Sequence, residues 1–148
     1  GKTRTLADFK GKAVAIFFGY TQCPDVCPTT MVMMREVMRQ LGPDADRVQV
    51  LFITIDPERD TQALLTQYVP SFDPRFIGLT GAPERIAATA KEFKVFYQKV
   101  PTANGESYTM DHFAGMYLYD PQGRLRLFVR YGQAPEPIVN DLRALLKE

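Results

Sequence analysis

The chain has 148 residues, of which 45% are hydrophobic and 24% charged, and its formal net charge at pH 7 is +1. This length and composition are typical of one globular domain with its own hydrophobic core, so we predict a single domain over residues 1–148. The near-zero charge gives no electrostatic reason to expect a nucleic-acid partner or an anionic membrane surface, and no apolar run approaches the ~20 residues of a membrane-spanning helix.

The first two thirds of the chain predict alternating strands and helices. Residues 13–19 are apolar at nearly every position, as in a strand that is covered on both faces. A loop that contains both cysteines follows, and then apolar residues at helical spacing predict a helix over 29–41, with Pro28 suited to its first turn. The same reasoning predicts strands over 48–55 and 76–80, helices over 61–68 and 85–93, and an extended segment over 95–100.

The last third changes character. Asn104-Gly105 is a strong turn signal within a polar loop over 101–107. Strands over 114–119 and 125–131 then predict a hairpin, in which Leu125, Leu127 and Val129 form one buried face, and an amphipathic helix over 135–146 ends the chain. Parallel β-α units followed by an antiparallel pair predict an α/β, thioredoxin-like three-layer fold: a central mixed sheet with helices on both faces, and a C-terminal hairpin plus helix.

Cys23 and Cys27 are the protein's two cysteines, and both lie between the first strand and the first long helix. A disulfide across so short a loop would stabilise the fold by about 2 kcal/mol, against ~4.7 kcal/mol for a 100-residue loop. A structural staple is therefore a poor reason for this spacing. A redox-active dithiol or metal ligation is a better one, since the start of a helix favours thiolate.

His112 is the one histidine, and a thioredoxin-like layout brings the loop in which we predict it to the dithiol. Two thiolates and an imidazole are a donor set for Cu(I), whereas structural zinc would need a fourth ligand. Cu(II) would also need a further donor, either water or a nearby carboxylate. Asp25 is a candidate, although a position beside Pro24 favours an exposed turn residue somewhat more. Asp111 could orient the imidazole ring or cap a turn.

Three segments of the sequence resemble the Sco/SenC family of copper chaperones. Residues 17–30, FFGYTQCPDVCPTT, are similar to the family signature. Residues 55–61, IDPERDT, and 72–81, FDPRFIGLTG, are similar to later segments of the family, and the pair Asp111-His112 matches its metal-ligand histidine. The resemblance covers nearly the whole chain.

The resemblance implies a function outside the cytoplasm. It implies that Cys23, Cys27 and His112 bind Cu(I) and Cu(II), and that the protein matures the dicopper (CuA) centre of cytochrome c oxidase, with the CuA-bearing subunit and other copper chaperones as partners. It also implies tethering to the extracytoplasmic face of a bacterial membrane, or a place in the mitochondrial intermembrane space. An N-terminal anchor and a first β-hairpin are expected ahead of Gly1. Phe113 departs from the family, which commonly has a small residue after the Asp-His pair.

Two other functions remain open from the residues. In a thiol–disulfide reductase, Cys23 and Cys27 would be a catalytic dithiol and His112 a base or a spectator. A peroxidase of the same fold is a third class, but its one peroxidatic cysteine would not require a second. Met31, Met33, Met34 and Met38 could bind Cu(I), although helical spacing with Leu41 favours core packing. Asp60 is interpreted as the cap of the helix that follows it.

Overall fold

The computed structural model describes the backbone of residues 6–21, 26–93, 97–101, 108–112, 115–130 and 134–147, and the side chains of 8–21, 29–93, 115–130 and 134–147. The helices are α1 (Val26–Leu41), α2 (Gln62–Tyr68), α3 (Pro83–Glu92) and α4 (Pro135–Leu146). The strands are β1 (Ala13–Gly19), β2 (Val48–Thr54), β3 (Ile77–Leu79), β4 (Tyr97–Pro101), β5 (Tyr108–His112), β6 (Gly115–Tyr119) and β7 (Leu125–Arg130). Each strand and helix predicted up to residue 93 has a counterpart within a few residues.

Five of these strands form one mixed sheet in the order β3-β2-β1-β6-β7. β1 is parallel to β2 and β2 to β3, whereas β6 is antiparallel to both β1 and β7. All seven residues of β1 and all seven of β2 are buried, so both faces of the central sheet are covered. α1 packs against α4, and α4 contacts β1. The mixed α/β sheet predicted from the sequence is confirmed.

The strand registers bring three connections to one edge of the sheet. Gly19, the last residue of β1, is opposite Thr54, the last residue of β2. Because β6 is antiparallel to β1, with Phe17 opposite Met116, β6 begins at this same edge with Gly115. We call this edge, with the segments that leave Gly19 and Thr54 and the segment that enters Gly115, the cysteine edge. The turn between β6 and β7 lies at the opposite edge.

β4 and β5 form a separate antiparallel pair in which Tyr97 is opposite His112 and Pro101 is opposite Tyr108. The extended segment predicted before residue 101 is confirmed as β4. The prediction of His112 in a loop is wrong, since this residue is the last of β5. The turn predicted at Asn104-Gly105 lies outside the described residues.

β7 is the edge strand of the sheet, and its side chains correct a prediction. The hairpin with β6 is confirmed, but Leu125 is 54% exposed and Leu127 is 39% exposed, while Val129 is buried. The prediction of one buried face is therefore wrong for the first two leucines. The register shifts between Leu118 and Tyr119, and an edge strand has a neighbour on one side only, so alternation in the sequence does not guarantee burial here.

Asp120 organises the turn between β6 and β7. Its side chain is 1% exposed, and its carboxylate accepts hydrogen bonds from the backbone N–H groups of Gln122 and Arg124 and from Nε of Arg124 at 2.9 Å. Nη1 of Arg126 lies 3.4 Å from the same carboxylate. Burial raises the pKa of Asp120, but the hydrogen bonds from Arg124 and Gln122 outweigh it and lower the pKa from 3.8 to about 2.

Asp120→Asn is expected to destabilise the protein most near neutral pH. A carboxyl whose pKa is lower in the folded state stabilises the fold above its unfolded pKa of 3.8, and this contribution is lost as the pH falls toward about 2. Urea unfolding of both proteins between pH 7 and pH 2 should therefore show a gap in midpoint that narrows below pH 4. A gap that stays constant over that range would contradict the assignment.

Candidate metal and dithiol site

The start of α1 carries the second cysteine of the CxxxC motif. β1 ends at Gly19 on the cysteine edge, and Cys27 is the second residue of α1, which begins at Val26. The first N–H groups of a helix have no partner within it, so this position carries the positive end of the helix dipole and generally favours a thiolate. Cys23 and Asp25 lie outside the described residues, as does the side chain of Cys27.

His112 is held near the same edge by the short connection between β5 and β6. It ends β5, and β6 begins three residues later at Gly115, so the His112 backbone lies at most about 11 Å from the cysteine edge. Asp111 is opposite Gln98 in the β4–β5 ladder. The side chains of Asp111 and His112, and Phe113 as a whole, lie outside what the structure describes. The topology thus brings the histidine segment and the cysteine segment toward one edge.

The segment after β2 is bonded directly to the cysteine loop. Asp60 is fully buried, and its Oδ2 accepts a hydrogen bond from the backbone N–H of Thr21 at 2.9 Å, while its Oδ1 accepts one from Oγ1 of Thr21 at 2.5 Å. The prediction that Asp60 caps α2 is wrong. Thr61 caps that helix instead, because its side chain accepts the N–H of Leu64 at 3.2 Å.

A second contact joins the same two segments. The guanidinium of Arg59 lies over the ring of Tyr20, 5.8 Å from its centroid, and Nε of Arg59 donates to Asp56. The N–H of Ile55 donates to the carbonyl of Gly19 at 2.8 Å, which extends the β1–β2 ladder beyond its last pair. From the sequence, residues 55–61 had no role beyond the family resemblance and the helix cap assigned to Asp60. The available signal was the place of this segment at the end of a parallel strand adjacent to β1.

Comparison with known proteins identifies the family. The family model of SCO1/SenC matches residues 1–147. The chain belongs to the SCO1/SenC family. Among curated proteins, the mitochondrial SCO2 homolog of Bos taurus is 40% identical over 145 residues, which are 97% of this chain and 54% of that protein. This SCO1/SenC chain therefore spans about half the length of the mammalian relatives that it matches.

Solved structures of the family share the fold. Bradyrhizobium japonicum ScoI, solved with copper bound, has a TM-score of 0.89 and 47% identity, and the match covers 98% of this chain and 92% of ScoI. BsSco, a member of the Sco family of cytochrome c oxidase assembly proteins in which a disulfide switch was identified, has a TM-score of 0.71 and 25% identity, covering 99% and 87%. The thioredoxin-like fold predicted from the sequence is thereby confirmed.

The methionines of α1 in this SCO1/SenC chain belong to the core, with Met33 partly buried against it. Met31 and Met34 are fully buried, and Met38 is 1% exposed. Their interpretation as core residues, rather than copper ligands, is confirmed. Among the side chains that the structure describes, no three His, Cys, Asp or Glu residues lie close enough together to bind a metal ion. The side chains of Cys23, Cys27 and His112 are not among those described. No described helix is both long and apolar enough to cross a membrane.

Proposed function

We propose that this chain is a copper metallochaperone that binds Cu(I) and Cu(II) through Cys23, Cys27 and His112. The observation that carries the proposal is that two segments converge on the cysteine edge. One is the start of α1, with Cys27 as its second residue, and the other is the short connection that follows His112. The copper-bound structure of ScoI, a relative of nearly the same length, supports it.

The donor set suits copper in two oxidation states. Thiolates are soft ligands that select Cu(I), and two thiolates with one imidazole complete a three-coordinate site. Cu(II) takes a further donor, for which Asp25 and Asp111 are the accessory candidates. The thiols must lose their protons to bind either ion, and the position of Cys27 in the first turn of α1 favours that loss.

The cargo is destined for the CuA centre of cytochrome c oxidase. The chain receives copper from other copper chaperones and passes it to the CuA-bearing subunit, at the extracytoplasmic face of a bacterial membrane to which an N-terminal segment tethers it. The description of BsSco as a member of a family of cytochrome c oxidase assembly proteins supports this destination. The net charge of +1 gives no reason to add a nucleic-acid partner.

A thiol–disulfide reductase is the second candidate, and the disulfide switch in BsSco favours it. One thiolate of the dithiol would attack a disulfide of the CuA-bearing subunit or another extracytoplasmic partner, forming a mixed disulfide and releasing one partner thiolate. The second cysteine would then displace the other partner thiolate. The partner leaves as a dithiol and Cys23 and Cys27 as a disulfide, so two electrons pass to the partner.

A copper titration of the fully reduced protein tests the proposal. Cu(I) is followed by competition with a chromophoric chelator, and Cu(II) by its thiolate charge-transfer absorption. One tight equivalent per chain is expected, because the motif supplies one pair of thiols. If neither ion binds tightly, the metallochaperone proposal fails and the reduction potential of the dithiol becomes the quantity to measure.

A further inference from the structure

Asp60 is a buried carboxylate at the cysteine edge, and its two oxygens accept three hydrogen bonds. Besides the two hydrogen bonds from Thr21, its Oδ2 accepts one from Oγ1 of Thr54 at 2.7 Å. Oγ1 of Thr54 in turn accepts the N–H of Asp56 at 2.9 Å, and the N–H of Asp60 donates to the carbonyl of Asp56 at 2.9 Å. The end of β2 therefore holds the carboxylate in place independently of its hydrogen bonds from the cysteine loop.

Helix capping does not account for this arrangement. Thr61 provides the cap of α2, so the carboxylate of Asp60 is not needed there. Two of its three hydrogen bonds instead reach Thr21, which is 39 residues away in the sequence and two residues before Cys23. Burying a carboxylate is costly unless hydrogen bonds compensate, and here most of the compensation comes from the loop that leads to the dithiol.

We infer that Asp60 is a positioning residue for the dithiol. By holding both the backbone and the hydroxyl of Thr21, it fixes the point from which the loop runs to Cys23, and thereby limits the distances that Cys23 can adopt from Cys27. A loop held at its start loses less conformational entropy when both sulfurs bind one copper ion or join in a disulfide. The copper part of this inference rests on the proposed function, whereas the disulfide part requires only the two cysteines.

Asp60→Asn tests the inference, and Asp120→Asn is its matched control. Both replace a buried turn aspartate with the isosteric amide, but Asp120 lies at the opposite edge of the sheet. Two quantities are measured: the Cu(I) affinity, and the equilibrium in which two glutathione molecules reduce the Cys23–Cys27 disulfide and leave as one glutathione disulfide. We expect Asp60→Asn to lower the Cu(I) affinity about 10- to 100-fold, as the loss of supporting residues does at other metal sites. It should also shift the glutathione equilibrium toward the reduced dithiol, because the freer loop loses more entropy when the disulfide forms. Asp120→Asn should lower stability and leave both quantities unchanged.

A pair of threonine variants keeps the test decisive if Asp60→Asn does not fold. Thr21→Val and Thr54→Val each remove one hydroxyl that donates to Asp60, but Thr21 alone belongs to the cysteine loop. Thr21→Val should shift the glutathione equilibrium in the same direction as Asp60→Asn, and Thr54→Val should shift it less. In a double variant that carries Thr21→Val and Asp60→Asn, the shift should be smaller than the sum of the two single shifts, because both substitutions act through one contact.

The inference is overturned if Thr21→Val, together with Asp60→Asn where that variant folds, retains the native Cu(I) affinity and the native glutathione equilibrium. It is also overturned if Asp120→Asn shifts the glutathione equilibrium as much as Asp60→Asn, since the effect would then follow stability rather than position. Failure of the proposed function looks different. The native protein would bind no copper, while the glutathione equilibrium would still respond to Asp60 and Thr21.

Discussion

His112→Ala is expected to abolish tight Cu(I) binding while leaving thiol–disulfide exchange nearly intact. In the proposed site copper would lose one of its three ligands, so the fall in affinity should exceed the ~10–100-fold that follows loss of a residue that only supports a ligand. Exchange with a disulfide proceeds through two sulfurs and needs no third donor. The two activities are measured on the same preparation, by chelator competition for Cu(I) and by the rate at which the reduced protein opens a model disulfide.

Cys23→Ala is the control, because both candidate functions require its thiol. It should lose copper binding and the resolving step of exchange together, so that mixed disulfides accumulate on Cys27 or the attack itself fails. Copper binding that is indifferent to His112 would contradict the three-ligand site and favour the reductase. A parallel loss of both activities in His112→Ala would show that the histidine serves the thiols as well as the metal.

The central sheet could be predicted from the sequence because its strands are buried on both faces. Residues 13–19 and 48–54 are almost continuously apolar, and every one of them is buried. Helices α1 and α4 follow from apolar residues at helical spacing, and the buried side chains Met34, Leu142 and Leu145 lie on those spacings. Such elements can be predicted from their own residues, because an element that is buried along its whole length shows a continuous apolar pattern in the sequence.

Features that depend on distant pairing could not be predicted in the same way. β5 is defined by its backbone pairing with β4. The sequence of residues 108–112 does not predict a strand as clearly as the apolar runs of β1 and β2 do. The role of Asp60 is similar, since the sequence shows an aspartate next to a helix, where capping is the common outcome. Only the three-dimensional neighbourhood reveals that Thr61 caps the helix and that Asp60 holds Thr21.

The candidate site was predictable as a set of residues rather than as a geometry. The CxxxC motif between a buried strand and a helix, with one histidine in the chain, is sufficient to nominate Cys23, Cys27 and His112. The register then explains how the segments approach, because β6 is antiparallel to β1 and begins where β1 ends. The bonds from the β2–α2 turn to Thr21 were beyond sequence reasoning, since they join residues 39 positions apart.

Phe52→Ala is expected to destabilise the protein by about 3–5 kcal/mol, a large part of the ~5–15 kcal/mol that stabilises a typical domain. Phe52 is fully buried in β2, and its ring contacts Phe17 edge-on with centroids 5.4 Å apart and Tyr68 at 6.4 Å. Alanine removes both ring contacts and leaves a cavity between β1 and α2. Urea unfolding of the reduced protein gives the free energy of unfolding directly.

Leu125→Ala is the matched control, because it also shortens a large apolar side chain in a strand of the same sheet. Leu125 is 54% exposed on the edge strand β7, so its loss should change the free energy of unfolding by no more than about 0.5 kcal/mol. Comparable losses in the two variants would contradict the difference in burial between the centre and the edge of the sheet. Where Phe52→Ala remains folded it should still bind one equivalent of copper, since Phe52 supports the strands behind the cysteine edge and lies outside the proposed ligand set.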